Sequence, residues 1–209
     1  MPQIFPHREL SFPGTSWMMW EISENEAFFD QIPESWKSTL PPNHALELKR
    51  LESMAARFCL WKLVQTHIGH EIELVKSSTN RPFFHESDWH MSISHSFPYV
   101  AAAISHKKNI GLDLEKKARN IQKIAPRFLS ATELAWAEMD EQKLLAAWTV
   151  KEAIYKAQHQ PGLDFRKEIS FECQFPLQKG FVQLAQEKFD FDLWQEEFPQ
   201  FWISLAIRN

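Results

Sequence analysis

The alternation of apolar and polar residues predicts a strand and two helices early in the chain. Residues 15–23, TSWMMWEIS, are predicted to form the first strand. Ser23 followed by Glu26 has the spacing of a capping box, which predicts a helix that runs to residue 32. From residue 45 to 67, apolar side chains recur at helical spacing without proline or glycine. This segment is predicted to be the main helix of the first half.

Three strand-like runs follow this helix, at residues 89–96, 99–105 and 110–115. Pro82 marks an edge-like stretch before them, because proline cannot donate a hydrogen bond to a sheet. The first half is therefore predicted to end in short strands.

After the strand-like run at 110–115, the second half shows helix signals and then further strand signals. Ser130 and Glu133 have the capping-box spacing, and residues 141–158 are rich in strong helix formers. The remaining segments alternate and are broken by Gly180 and Pro199, which predicts an antiparallel meander. Both halves thus contain a strand, then a helix, then strands. We expect an α+β fold of two similar subdomains, residues 1–105 and 106–209, in a pseudo-twofold arrangement with the active site at their interface.

Charge and composition narrow the class of protein. The 209 residues carry 23 basic and 27 acidic side chains, so the net charge of -4 argues against the basic face that binds nucleic acid or anionic membrane. No apolar run approaches the roughly 20 residues that span a bilayer. The two cysteines, Cys59 and Cys173, lie among apolar neighbours and are predicted to be buried, reduced thiols. We therefore expect a cytoplasmic protein.

Four side chains could converge on one chemical site. Asp113 and Glu115 alternate with leucines and project from one face of a predicted strand, while Glu152 and Lys156 share one face of a predicted helix. A solvated salt bridge and a polar strand face are the plain alternatives for these two pairs. The functional alternative is a Mg²⁺ site, because buried carboxylates are costly without a cation. Water and a substrate phosphate would complete the coordination of the metal. With only five glycines, the chain contains no glycine-rich phosphate loop.

Five stretches of the chain resemble the Sfp-like 4'-phosphopantetheinyl transferases. "GLDLE" at 111–115 is similar to the family's G-(I/V)-D-(I/V/L)-E block, and "WTVKEAIYKA" at 148–157 to its W-(S/T)-x-K-E-(A/S)-x-x-K block. "SISHS" at 92–96 resembles its (N/S)-(I/L)-S-H-S block. "RFLSATE" at 127–133 and "NRPFF" at 80–84 resemble two shorter segments, the second with Asn-Arg-Pro where the family has Gly-Lys-Pro.

The resemblance implies an enzyme, a holo-acyl-carrier-protein synthase or 4'-phosphopantetheinyl transferase. It would transfer the phosphopantetheine arm of coenzyme A to a serine of an apo acyl or peptidyl carrier protein and release 3',5'-ADP. Asp113, Glu115 and Glu152 would hold Mg²⁺ on the diphosphate. Lys156 would place positive charge on the leaving group, and either Glu152 or a metal-bound water would accept the serine proton.

The resemblance also implies residues that bind coenzyme A. His95 would contact the 3'-phosphate with Ser94 beside it, and Arg57 and Arg81 match positions of phosphate-binding basic residues. Lys151 would either contact the diphosphate or solvate the helix.

Two other functions remain open at this point. A Mg²⁺-dependent phosphodiesterase or nuclease would also gather acids and a lysine, although Lys156 lies four residues beyond Glu152 on a helix rather than on a strand. A non-catalytic protein that binds coenzyme A or a carrier protein on the same scaffold is the second. Two similar halves in one chain favour a monomer.

Overall fold

The computed structural model describes residues 4–9, 12–42, 44–117 and 120–209, with the backbone alone for residues 4–9. The chain divides into two compact units, Met1–Lys108 and Asn109–Asn209, which we call the N-terminal and C-terminal units. The sequence analysis placed the division between residues 105 and 106.

The N-terminal unit packs one long helix on an antiparallel sheet of order β1-β2-β6-β5, beside a separate β3-β4 hairpin. The side chains of α3 that face the sheet are apolar, and they pack with alternate residues of β6, such as Val100 and Ala102. The elements are β1 (Ile4–Glu9), β2 (Thr15–Glu21), α1 (Glu26–Phe29), α2 (Glu34–Lys37), α3 (Glu47–His67), β3 (Leu74–Lys76), β4 (Pro82–Phe84), β5 (Trp89–Ser96) and β6 (Tyr99–His106).

The predicted capping box at Ser23 is wrong. α1 is a single turn whose N-cap is Asn25, without a side-chain cap. The Glu26 carboxylate contacts the Arg50 guanidinium on α3 instead of turning back to the N-cap. A contact between distant residues has therefore replaced the local one that the spacing suggested.

The C-terminal unit repeats the plan with a five-stranded antiparallel sheet of order β7-β11-β10-β9-β8. Helix α6 packs on this sheet. It begins after the Asp140 cap and ends at Gln158, where the cap residue His159 adopts a left-handed conformation, so its predicted bounds are confirmed. The elements are β7 (Ile110–Lys116), α4 (Ala125–Phe128), α5 (Ala131–Ala137), α6 (Glu141–Gln158), β8 (Ile169–Phe171), β9 (Lys179–Leu184), β10 (Glu187–Glu197) and β11 (Phe201–Arg208).

The sequence signals of this unit have mixed outcomes. The Ser130–Glu133 capping box is confirmed in both of its hydrogen bonds, and the meander is confirmed for β8 to β11. The predicted break at Gly180 is wrong, because Gly180 lies inside β9, and the chain instead turns after Leu184 with Ala185 in a left-handed conformation. Cys59 is buried as predicted, whereas Cys173 is exposed.

Both units therefore combine an antiparallel sheet with one long helix, which confirms the α+β class. The pseudo-twofold relation and the placement of the active site at the interface stay predictions. Among the described residues, no helix has the length and apolar content needed to cross a membrane.

Candidate active site

A glycine brings helix α6 onto strand β7. A Cβ atom added to Gly111 would lie 1.9 Å from the carbonyl oxygen of Ala153 and 2.6 Å from the amide nitrogen of Ala157. Both contacts are with helix backbone, so no other residue fits at this position without moving the helix. Gly111 therefore sets the close approach of α6 to β7.

The two carboxylates of β7 point toward the same helix. Side chains alternate along a strand, so Asp113 and Glu115 share the face of Gly111. Asp113 Oδ1 accepts a hydrogen bond from Lys156 Nζ at 2.8 Å, and Glu115 Oε1 accepts one from Trp148 Nε1 at 3.0 Å. Lys156 Nζ also donates to the carbonyl of Leu112 at 2.9 Å. Three of the four predicted site residues thus take part in contacts between β7 and α6: Asp113 with Lys156, and Glu115 with Trp148.

Glu152 lies on α6 between these two contacts. It follows Trp148 by one helical turn and precedes Lys156 by one turn, so the three side chains share one helix face. The Glu152 side chain is half-buried and lines an adjoining cavity. The fourth predicted residue therefore belongs to the same face of α6 as the partners of the two β7 acids.

The three carboxylates suit a hard divalent cation by their chemistry, since Mg²⁺ takes oxygen ligands. In the parts of the chain that the structure describes, no three His, Cys, Asp or Glu side chains are already arranged around a metal position. Asp113 is directed at the Lys156 ammonium, and Glu115 at the Trp148 indole. The cation that faces Asp113 in this structure is thus a lysine, and Mg²⁺ binding stays a prediction.

An aromatic groove opens beside Glu152. Its volume is about 470 Å³, and its walls are Ile124, Arg127, Phe128, Trp148, Glu152 and Phe165. The Trp148 ring packs edge-on against Phe128 with centroids 4.9 Å apart and stacks on Phe165 at 6.0 Å. We call this cavity the aromatic groove; it places a mainly apolar surface next to a candidate catalytic carboxylate.

The structure revises the prediction for Lys151. Its side chain is 0% exposed, and its ammonium forms an ion pair with Glu133 at 2.8 Å. Burial lowers the pKa of Lys151, while the Glu133 carboxylate opposes this effect. A fully enclosed ammonium neither reaches a diphosphate nor solvates the helix, so Lys151 is not a coenzyme A ligand in this structure.

In the N-terminal unit, His95 has a partner that the sequence did not reveal. Its Nδ1 lies 3.4 Å from Glu52 Oε2 on α3, and Glu52 Oε1 accepts a hydrogen bond from the Phe97 amide at 3.1 Å. The His95 side chain is half-exposed at 45%. Glu52 therefore orients an imidazole that a ligand can reach.

Ser94 does not share the direction of His95. Neighbouring residues of a strand point to opposite faces, and the Ser94 side chain is buried. The His95 and Ser94 side chains therefore leave β5 on opposite faces, and a shared contact of both with one phosphate stays a prediction.

Arg57 also has a different role from the predicted one. Its guanidinium donates to Thr39 Oγ1 at 2.7 Å, to the Thr39 carbonyl at 2.6 Å and to the Ser53 carbonyl at 3.0 Å. The residue is 3% exposed, and burial lowers its pKa to about 10. Arg57 is thus a buried link between α3 and the segment after α2. Arg81 is half-buried in the connection between β3 and β4, and its phosphate-binding role stays a prediction.

The C-terminal unit matches a known protein family. Residues 109–205, which contain all of β7 and α6, match the family model of the 4'-phosphopantetheinyl transferase superfamily. These residues are therefore similar to that superfamily. The predicted resemblance is confirmed at this level.

Two known proteins give more detail of the superfamily match. Over 87 residues the chain is 33% identical to the 4'-phosphopantetheinyl transferase gsp of Aneurinibacillus migulanus, a match that covers 39% of this chain and 36% of that protein. The match thus spans about a third of the relative's length. A crystal structure of the Thermotoga maritima holo-acyl-carrier-protein synthase aligns with 48% of this chain and 62% of its own, with 15% identity and a TM-score of 0.35.

Proposed function

We propose that the protein transfers the 4'-phosphopantetheine group of coenzyme A to a serine hydroxyl of an apo acyl or peptidyl carrier protein and releases 3',5'-ADP. The match of residues 109–205 to the superfamily model supports a transferase of this class. The reaction is a phosphoryl-group transfer in which the serine Oγ–P bond forms and the bond from phosphorus to the 3',5'-ADP oxygen breaks.

The observation that carries this proposal is the contact of β7 with α6. Gly111 allows the helix backbone to lie on the strand, and Asp113 and Glu115 then meet Lys156 and Trp148. Glu152 shares that helix face. Strand β7 and helix α6 thus contribute carboxylates beside one ammonium. Such groups can bind a metal and stabilise the negative charge that develops in phosphoryl transfer.

Mg²⁺ is the proposed metal, and Asp113, Glu115 and Glu152 would hold it. When bound, the metal would neutralise negative charge on the diphosphate of coenzyme A.

The remaining roles belong to side chains of α6. Glu152 is the proposed general base, because it is half-buried beside the aromatic groove and a carboxylate can take the proton of the attacking serine. Lys156 is held by Asp113 and by the Leu112 carbonyl, so its ammonium has a fixed position from which it stabilises negative charge on the departing 3',5'-ADP oxygen.

The aromatic groove is the proposed site of the pantetheine arm. The arm is a long, neutral chain with apolar segments, and the groove offers aromatic walls next to Glu152, with a volume of about 470 Å³. His95, oriented by Glu52, and Arg81 are the proposed ligands of the 3'-phosphate. Both cysteines are free thiols, which fits the proposed cytoplasmic location. The protein is proposed to be a monomer because one chain contains two similar halves.

The test is incubation of the protein with coenzyme A, Mg²⁺ and several apo carrier proteins, followed by intact-mass measurement of each carrier. We expect a phosphopantetheine adduct on at least one carrier, and absent from a serine-to-alanine form of that carrier. No adduct on any carrier, with coenzyme A still bound by the protein, would favour a non-catalytic binding module instead.

A further inference from the structure

The buried ammonium of Lys151 holds the main chain of two residues that wall the aromatic groove. Its Nζ donates to the carbonyl oxygen of Phe128 at 3.0 Å and to that of Phe165 at 2.7 Å. Phe128 is the last residue of the one-turn helix α4, and Phe165 lies in the connection between α6 and β8. Neither residue belongs to a strand or to a long helix that would fix its ring.

The other contacts of Lys151 extend the same cluster. Its Nζ donates to the Ile169 carbonyl at 2.7 Å and to Glu133 Oε2 at 2.8 Å, so three N–H donors serve four oxygens. Glu133 Oε2 also accepts from the Ser130 amide at 2.8 Å as part of the α5 cap. One ammonium on α6 therefore joins α4, the start of α5, the Phe165 turn and β8.

We propose that Lys151 is a positioning residue, which fixes the two phenylalanine walls of the aromatic groove and thereby sets the affinity for the pantetheine arm without touching it. This inference rests on the proposed function. Without the ammonium, the carbonyls of Phe128 and Phe165 would be buried acceptors that must find new donors. Their main chain would move, and the rings would lose their packing on Trp148.

The experiment compares two ligands that share the 3',5'-ADP part. Coenzyme A carries in addition the pantetheine arm and the phosphate that joins it, so the arm is present in only one of the two ligands. Calorimetric titrations with both ligands are made on the wild type, on the double variant Glu133→Gln/Lys151→Met and on Glu133→Gln. The double variant removes both members of the buried ion pair, so no unpaired charge remains in the interior. Glu133→Gln is the matched control, because Lys151 keeps its three carbonyl partners.

We expect the double variant to bind coenzyme A about tenfold more weakly, equivalent to about 1.4 kcal/mol, and to bind 3',5'-ADP as the wild type does. Transfer at saturating coenzyme A should keep kcat within about twofold while KM rises, since the arm, not the reacting phosphorus, has lost its contacts. The control should unfold at a lower temperature, because the buried Lys151 ammonium has lost its carboxylate, and should bind both ligands as the wild type does. Loss of affinity for both ligands alike, or no loss for either, would overturn the inference.

A second variant covers failure of the double variant to fold. Lys151→Gln, combined with Glu133→Gln so that no buried charge is left unpaired, keeps two N–H donors for the carbonyls. In the same pair of titrations, its loss of coenzyme A affinity should be smaller than tenfold, with 3',5'-ADP again bound as by the wild type, and equal losses for both ligands would overturn the inference. If the wild type binds 3',5'-ADP and coenzyme A equally well, the groove does not hold the arm and the inference fails while transfer can persist. If the wild type binds neither ligand, the proposed function fails first and the inference with it.

Discussion

Replacement of Gly111 by alanine should separate the two halves of the candidate active site. The added methyl carbon would lie 1.9 Å from the Ala153 carbonyl oxygen, whereas contacts below 3.0 Å are essentially never found. The helix must therefore move away from β7 by about 1 Å, because the strand backbone fixes the position of the new Cβ atom and the oxygen it meets belongs to the helix backbone. The same shift would draw Lys156 away from Asp113, whose contact is 2.8 Å long in the native structure.

The expected cost follows from this overlap. Overpacking a core with one methyl group costs about 1 to 3 kcal/mol, and we expect about 3 kcal/mol here because backbone atoms cannot rotate away. For a chain of this size, that corresponds to a fall in Tm of about 6 to 12 °C. A misplacement of about 1 Å in a catalytic site lowers the rate by about 10²-fold, so transfer should fall by about that factor.

The assay pairs thermal unfolding with initial transfer rates, and Gly180→Ala is the matched control. A Cβ on Gly180 would meet the flexible end of the Ile154 side chain, Cδ1 at 2.5 Å, rather than helix backbone. Rotation of that side chain should limit the cost to about 1 kcal/mol and leave transfer unchanged. A Gly111→Ala protein with the Tm and rate of the wild type would refute the claim that this glycine sets the approach of α6.

Two further predictions separate ligand binding from stability in the N-terminal unit. His95→Ala should raise KM for coenzyme A about tenfold with little change in kcat, as measured by initial rates; equal losses in kcat and kcat/KM would instead assign His95 to the chemical step. Arg57→Met should lower the free energy of unfolding in urea by about 3 kcal/mol, because the guanidinium contacts with Thr39 and Ser53 are lost, and should leave KM for coenzyme A unchanged. A raised KM with unaltered stability would restore the phosphate-binding role of Arg57.

The sequence predicted best where the signal lies within one element. The bounds of α6 followed from its helix formers, and the capping box of α5 depended on two residues three positions apart. The common direction of Asp113 and Glu115 followed from strand alternation alone, and the structure points both acids at α6. Periodicity within an element was sufficient in these cases.

Predictions failed where a distant residue decides the outcome. Gly180 looks like a turn in sequence, but its missing side chain accommodates Ile154, which is 26 residues earlier on α6. Glu52 lies on α3 and carries no local mark of its contact with His95 on β5. Motif spacing does not report such contacts, because they depend on how elements pack.

For Arg57 and Lys151, the neighbouring residues in the sequence indicate burial, but the family resemblance led to a prediction of ligand binding. Arg57 is one turn from Met54 and from Leu60, both buried. Lys151 is one turn from Ala147 and from Ile154, and both of those residues are also buried. Helical periodicity alone would have assigned both side chains to the interior, where they form hydrogen bonds to protein oxygens rather than to a ligand.

The central claim is that Asp113, Glu115 and Glu152 together with Lys156 form a metal-dependent transfer site. The most direct test is the intact mass of an apo carrier protein after incubation with coenzyme A and three samples: the wild type with Mg²⁺, the wild type with EDTA, and Glu152→Gln with Mg²⁺. We expect complete modification in the first sample, no adduct in EDTA, and a rate for Glu152→Gln that is lower by about 10² to 10⁴-fold. Undiminished modification of the carrier in EDTA, or by Glu152→Gln, would contradict it.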